Sequence, residues 1–230
     1  MSGTNKPAFA DRRDAGRKLA ARLDRFRSVE PLVLALPRVG VPVAFEVARA
    51  LGAPLDLIMV RKIGALGMEE FGIGAVVDGH DPQIVLDEKS VGLIDPPAGY
   101  VDAEVRRQLK EVERRRHAYL GKRPPPDVTG RVVIVVDDGI ATGNTALAAI
   151  RALRGAGPAR IILAVPAAAA ASIDALATEA DEVISLHAPE QLRSVGEHYA
   201  DFAQTMDEEV IRLLGASAPP DALPSTPFEP

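Results

Sequence analysis

The chain has 230 residues, a net charge of −5, 47% hydrophobic and 4% aromatic residues, and no cysteine. This suits one α/β domain with a core of Val, Ile, Leu and Ala, and it excludes disulfides, thiolate nucleophiles and cysteine metal sites. The acidic balance gives no electrostatic case for non-specific nucleic-acid binding, the four histidines fall in no zinc-ligand spacing, and no apolar run reaches membrane-span length. Met1 to Phe9 is polar and lacks the apolar stretch of a signal peptide, so a cytoplasmic protein without membrane or nucleic-acid partners is expected.

Ala15, Leu19, Leu23 and Phe26 recur at helical spacing among arginines and predict an amphipathic helix over 11–26. Pro31 breaks the chain before Leu32-Val33-Leu34-Ala35-Leu36, a short buried strand, and Pro42 suits the first turn of a helix that stops at Gly52. Leu55 to Val60 reads as a second strand, so this strand–helix–strand unit implies a parallel sheet with a right-handed crossover. Gly64 to Gly74, with Glu69, Glu70 and Phe71 among four glycines, reads as a mobile loop. Ile73–Val77 and Gln83–Leu86 are two short strands around the turn 78–82. Asp95-Pro96-Pro97 is a break, and Asp102 to Leu120 is a highly charged helix ended by Pro124-Pro125-Pro126. A strand at Val132–Val136, a helix at 144–155, a strand at Ile161–Val165, an Ala-rich helix near 169–179 and a strand at Glu182–Leu186 follow. The last helix spans about Asp207 to Leu214. Residues 1–215 thus form one domain, and the proline-rich segment 216–230 is expected to be a disordered tail.

The chemistry gathers where five β-branched residues, Val132 to Val136, run into Asp137 and Asp138. A strand apolar on both faces belongs in the middle of a parallel sheet, and its carboxyl end is where open α/β sheets place ligands. Gly139 and Gly143 let the following turn point backbone N–H groups inward, the first turn of the next helix adds free donors, and Thr142 and Thr145 add hydroxyls. A ribose 5-phosphate would satisfy both the acids and the turn. The alternative is an ordinary strand-to-helix turn whose Asp residues cap the helix. Two acids, two glycines and two threonines in register argue against it.

Two further strand ends carry cations. Leu36-Pro37-Arg38-Val39-Gly40-Val41-Pro42 is a loop entering a helix, with Arg38 able to fork onto phosphate oxygens, although such loops also occur as plain turns. Arg61 and Lys62 stand beside the glycine-rich segment and suit a ligand with several negative charges. They point to opposite faces of a continuing strand, so only one reaches the ligand, and Lys62 is preferred.

The segment Asp137-Asp138-Gly139-Ile140-Ala141-Thr142-Gly143-Asn144-Thr145 resembles the signature loop of type I phosphoribosyltransferases, which bind 5-phosphoribosyl-1-diphosphate (PRPP). The resemblance implies Asp137 and Asp138 on the ribose hydroxyls and Gly139, Ile140, Ala141, Thr142, Gly143, Asn144 and Thr145 around the 5-phosphate. Gly139 stands where the family usually has an apolar residue or Ser. The resemblance also implies a diphosphate grip by Pro37, Arg38, Val39 and Gly40, through a strained peptide near 37–39, and by Arg61 or Lys62, with the 64–74 loop closing over the site. Its fold is a parallel doubly wound, Rossmann-like sheet with a small hood, here assembled from 73–125 and 187–202. Its cofactor is Mg2+, held through the ligand with Asp137 and Asp138 as further candidates. Arg61-Lys62-Ile63-Gly64, Phe71 to Val76, Asp137 to Gly143 and Val195 to Phe202 together resemble a bacterial subgroup of predicted phosphoribosyltransferases over about Phe9 to Leu214. Members usually carry a proline within the stretch where this chain has Ala65-Leu66-Gly67.

These residues point to a Mg2+-dependent transferase, active in nucleotide metabolism, that moves 5-phosphoribosyl from PRPP to a small-molecule acceptor, a nitrogenous base by expectation. A regulatory protein that binds PRPP or a nucleotide without turnover is the alternative, and a homodimer is left open. A two-carboxylate metal hydrolase fits poorly, because the other strand ends offer Arg38 and Lys62 in place of further acids. No residue names the acceptor. His187, following a strand, is a weak candidate for touching it; Arg106, Arg107, Arg114, Arg115 and Arg116 read first as a solvated helix, and Tyr199 and Phe202 as core.

Overall fold

The structure, a computed structural model, describes residues 7–79 and 82–217. Its centre is an all-parallel sheet in the order β2-β1-β6-β7-β8, formed by β1 (Leu32–Ala35), β2 (Leu55–Leu57), β6 (Val132–Val136), β7 (Arg160–Ala167) and β8 (Glu182–His187). The β-branched run is the middle strand, paired with β1 through Val33↔Ile134 and with β7 through Val135↔Leu163. Alternation sorts its side chains. Ile134 and Val136 join Val33, Ala35, Ile162 and Ala164 under helices α1 (Arg12–Leu23), α2 (Val41–Leu51) and α7 (Asp207–Ser217). Val133 and Val135 join Leu32, Leu34, Ile161 and Leu163 under α5 (Asn144–Gly155). Helices thus cover both faces of the parallel sheet, as its greasy strands require. α6 (Ala170–Leu176) links β7 to β8.

The hood departs from the expected pattern. The strand expected at 55–60 is two strands in different sheets: β2 ends at Leu57, and β3 (Val60–Ala65) opens a three-stranded antiparallel sheet with β4 (Met68–Val77) and β5 (Gln83–Leu86). The segment expected to be a mobile loop, 64–74, is therefore the turn and returning strand of a hairpin. Its glycines serve close approach: Gly64 pairs with Gly72 across a register irregularity, and a Cβ on Gly74 would meet the Val85 carbonyl oxygen at 2.6 Å. α3 (Glu88–Ile94), which periodicity does not reveal, is started by Asp87, whose side chain accepts from Lys89 N. α4 begins at Tyr100 and runs to Leu120.

One face of the hood sheet packs Ile63, Ala65, Ile73 and Val76 against Val105 of α4. The other adds Ala75 and Val77, with Val60 and Val85 beside them, to the cluster under α5. Two terminal expectations shift. The first helix ends at Leu23 and continues as a 3-10 turn over Asp24–Val29, and α7 includes Ala216 and Ser217. The remainder of the tail, 218–230, lies outside the described residues. Among the described residues no helix is long and apolar enough to cross a membrane.

Candidate active site

β6 delivers Asp137 and Asp138 at its carboxyl end, between the ends of β1 and β7. The turn after them is pinned from beneath. Ile140 N donates to Ala167 O (2.8 Å), Ala169 N to Ile140 O (3.0 Å) and Ser172 Oγ to Ala141 O (2.7 Å). Gly143 then takes φ 79° as the residue before α5, a conformation glycine adopts without penalty. The first N–H groups of α5 have no acceptor within the helix, and Ala141, Thr142, Asn144 and Thr145 are exposed above them. The result is a turn held by hydrogen bonds on its inner side, with backbone donors that an anion could accept.

The two acids differ in surroundings. Asp137 is half-buried, and its Oδ1 accepts from Asp138 N at 2.9 Å. Burial first, and then the charge of Asp138, push its carboxyl well above the usual range. Asp138 is 4% exposed, and burial raises its carboxyl too, against the pull of Arg12, whose Nε lies 2.9 Å from Oδ2. Tyr199 donates its hydroxyl to the Asp138 carbonyl oxygen at 2.5 Å; burial pushes that phenol up, so it remains a donor.

The loop after β1 meets this pair directly. Leu36 N donates to Val136 O (3.0 Å) and Gly40 N to Leu36 O (3.1 Å), and the Pro37–Arg38 peptide is cis. A Cβ on Gly40 would lie 2.8 Å from Val136 O and 3.0 Å from the Asp137 Cα, so the two loops touch backbone to backbone. Arg38 Nη1 is 3.3 Å from Asp207 Oδ1, which also accepts from Tyr119 Oη at 2.8 Å. Both charged groups are well exposed, and such a pair contributes little, so a phosphate could displace Asp207.

Arg61 and Lys62 part as alternation demands. Arg61 Nε donates to Gln108 Oε1 of α4 at 3.0 Å, and burial followed by the nearby Arg115 charge lowers its pKa. Lys62 reaches the opposite face. It lines a cleft of about 620 Å³ with Gly72, Gly74, Asp87, Asn144, Thr145 and Arg151, its stem running over Gly72. His187 lies elsewhere, its ring 5.2 Å from that of Phe9 and 6.0 Å from that of His198.

The family model described as the phosphoribosyl transferase domain matches residues 8–201. The chain belongs to the phosphoribosyltransferase family. It is 44% identical over 206 residues to a Mycobacterium tuberculosis protein whose name as a phosphoribosyl transferase is provisional, covering 90% of this chain and 46% of that one. It therefore spans about half the length of the curated relatives it matches. A shorter likeness, 38% identity over 73 residues, links it to an orotate phosphoribosyltransferase of Corynebacterium glutamicum, over 32% of this chain and 36% of that one. Among solved structures, the protein TT1426 from Thermus thermophilus superposes with a TM-score of 0.80 at 40% identity, covering 92% of this chain and 99% of that one.

In this phosphoribosyltransferase-family chain, the fold brings the acid pair, with the turn that follows it, and the loop 37–40 into contact, and puts Lys62 in one cleft with Asn144 and Thr145, whose lining includes neither the acids nor the loop 37–40. It does not bring Arg61 to that cleft lining, and it packs His187 against Phe9. Arg12 and Tyr199, both touching Asp138, join the site; Tyr199 lies in the Val195 to Phe202 stretch that carries the resemblance, and Arg12 lies in none of those stretches. Tyr199 reads from sequence as core, and nothing local singles Arg12 out from its arginine-rich helix. The unusual Gly139 has a local cause. A Cβ there would meet Val195 Cγ1 at 2.5 Å and Ala167 O at 3.1 Å. Gly139→Ala is thus expected to lower stability by about 1–3 kcal/mol, the usual range for overpacking. Adding Val195→Ala should restore the share due to Val195 in urea denaturation.

Proposed function

We propose that this chain transfers the 5-phosphoribosyl group of PRPP to a small nitrogenous acceptor and releases diphosphate. The supporting observation is the backbone contact of Gly40 with Asp137: it joins two loops suited to anions at a pair of carboxylates, matching a ligand with phosphate at both ends and hydroxyls between. In this reading Asp137 and Asp138 hold the ribose 2′ and 3′ hydroxyls, and the turn 139–145 holds the 5-phosphate. Pro37 to Gly40 and Lys62 receive the diphosphate. The bond from ribose C1 to the diphosphate oxygen breaks with its electron pair leaving on the diphosphate, and the acceptor nitrogen forms the new bond and loses its proton. Such a reaction asks for positioning and for charge stabilisation at the leaving group. The β3–β4 hairpin is suited to keep water from the cationic ribose.

Among the described residues no cluster of three or more His, Cys, Asp or Glu can hold a metal. Two adjacent carboxylates, one already paired with Arg12, fit a Mg2+ carried in with the diphosphate better than a resident ion. Bound there, Mg2+ would neutralise charge on the diphosphate.

PRPP consumption and diphosphate release, measured with a panel of nitrogenous bases, test the reading. PRPP binding without turnover on any base favours a regulatory protein. Lys62→Ala is expected to weaken diphosphate binding by about 10–100-fold, the value of one charge-assisted contact. Ribose 5-phosphate should lose less, even though Lys62 shares its cleft with Asn144 and Thr145. Equal losses in calorimetry would remove Lys62 from the diphosphate side.

A further inference from the structure

Arg12 breaks two local rules. Asp11 caps α1 by accepting from Asp14 N at 2.7 Å, which puts Arg12 in the first helical turn, where the helix dipole disfavours a cation. It is also only 7% exposed, and arginine is seldom buried without a partner. A residue that violates local preference twice is held there by tertiary structure, and here that structure leads to Asp138.

The guanidinium is held on two edges and one face. Nε donates to Asp138 Oδ2 at 2.9 Å, Nη1 donates to Ala203 O at 2.6 Å, and Cζ lies 3.9 Å from the centre of the Phe202 ring. Tyr199, whose ring tilts against Phe202 at 5.1 Å, donates to the carbonyl of the same Asp138. Residues 9–10 and 198–201 are zipped together by Phe9 N to His198 O (3.0 Å), Ala200 N to Phe9 O (2.8 Å) and Asp201 N to Ala10 O (2.8 Å). Two segments far apart in sequence thus form a clasp around one carboxylate.

We infer that Arg12 is a positioning residue of the ribose site, fixing Asp138 from behind so that its other oxygen, Oδ1, is presented to a ribose hydroxyl. This rests on the reading of Asp137 and Asp138 as the ribose acids. The pairing also balances the charge of Asp138, which lets a second carboxylate stand directly beside it. The forked guanidinium suits the task because it grips Asp138 and Ala203 at once while stacking on Phe202, a geometry lysine cannot copy. The first turn of α1 and the segment 199–203 therefore act on the site through Asp138.

Calorimetry with PRPP and with diphosphate separates this role from simple stapling, because diphosphate has no ribose hydroxyls. Arg12→Ala is expected to weaken PRPP binding about tenfold or more and to leave diphosphate within about twofold. Arg12→Lys, which keeps the charge and loses the fork, should recover part of the loss. In an Asp138→Asn background Arg12→Ala should add no more than about threefold, since both changes act through one group. Parallel losses for both ligands, unchanged PRPP affinity, or full multiplication in the double variant would each overturn the inference. Should Arg12→Ala fail to fold, Arg12→Lys is read in its place: about threefold weaker PRPP binding with diphosphate unchanged supports the role, and unchanged PRPP binding overturns it. A native chain that does not bind PRPP removes the parent reading as well. A native chain that binds it, with Asp137→Asn abolishing binding and Arg12→Ala having no effect, removes this inference alone.

Discussion

Asp137→Asn is expected to abolish PRPP binding and to make the protein more stable. The carboxylate is half-buried beside a second acid, and burial together with the Asp138 charge disfavours its ionised form in the folded chain. Asparagine keeps an oxygen for the Asp138 N–H, now 2.9 Å from Oδ1, and removes the charge. Stability should rise by about 1 kcal/mol, or roughly 2–4 °C in melting temperature for a chain of this length. The sign of the pH dependence follows from the raised folded-state pKa. Between the ordinary carboxylate pKa and that raised value the folded chain binds more protons than the unfolded one, so native stability falls as pH rises through the range. The advantage of asparagine is complete above the window and vanishes below it, in melts run without metal or ligand. The lost charged contacts to ribose hydroxyls, about 1.5–3 kcal/mol each, should lower PRPP affinity by 100-fold or more for roughly two of them. Asp138→Asn should gain less than Asp137→Asn or nothing, because the relief of removing a buried charge is offset by leaving the Arg12 guanidinium without its counter-charge. Loss of binding with lower stability in Asp137→Asn would refute the assignment of Asp137 as a strained functional acid.

The difference between the two acids marks how far the sequence can be read. Val132 to Thr145 carries its own interpretation, because a buried strand, an acid pair and a donor-rich turn are contiguous and each is a local preference. The α/β frame is legible for the same reason, through periodicity and helix-stopping glycines such as Gly52. The hairpin 60–77 is not, since glycine signals mobility and close strand approach alike, and only the pairing of Gly64 with Gly72 tells them apart. Arg12 is hidden more deeply. Its partner lies 126 residues away, and its place in the first helical turn, which it shares with Arg13, says that something holds it there without saying what. Long-range polar contacts of this kind are set by topology, and topology becomes visible only when the sheet order is known.

The second large effect falls on Gly40. Its φ is −72°, so glycine is required there for space and not for backbone freedom. A Cβ would lie 2.7 Å from Leu36 O, 2.8 Å from Val136 O and 3.0 Å from the Asp137 Cα. All three are backbone atoms of the sheet and its loops, so no side chain can swing aside. Gly40→Ala must push the 37–40 loop away from the acid pair, which parts the two halves of the proposed PRPP site. The expected cost in stability is about 3 kcal/mol, at the upper end for overpacking. A displacement near 1 Å is also enough to lower turnover by about 100-fold where chemistry depends on positioning. Gly215→Ala is the control: a Cβ on this residue of α7 would meet nothing within 4 Å, and an added methyl in a helix should stabilise by about 0.5–1 kcal/mol. Urea denaturation and diphosphate-release assays on both variants read the contrast. A Gly40→Ala chain that keeps native stability and turnover would show that the contact between the loops is not what holds the site together.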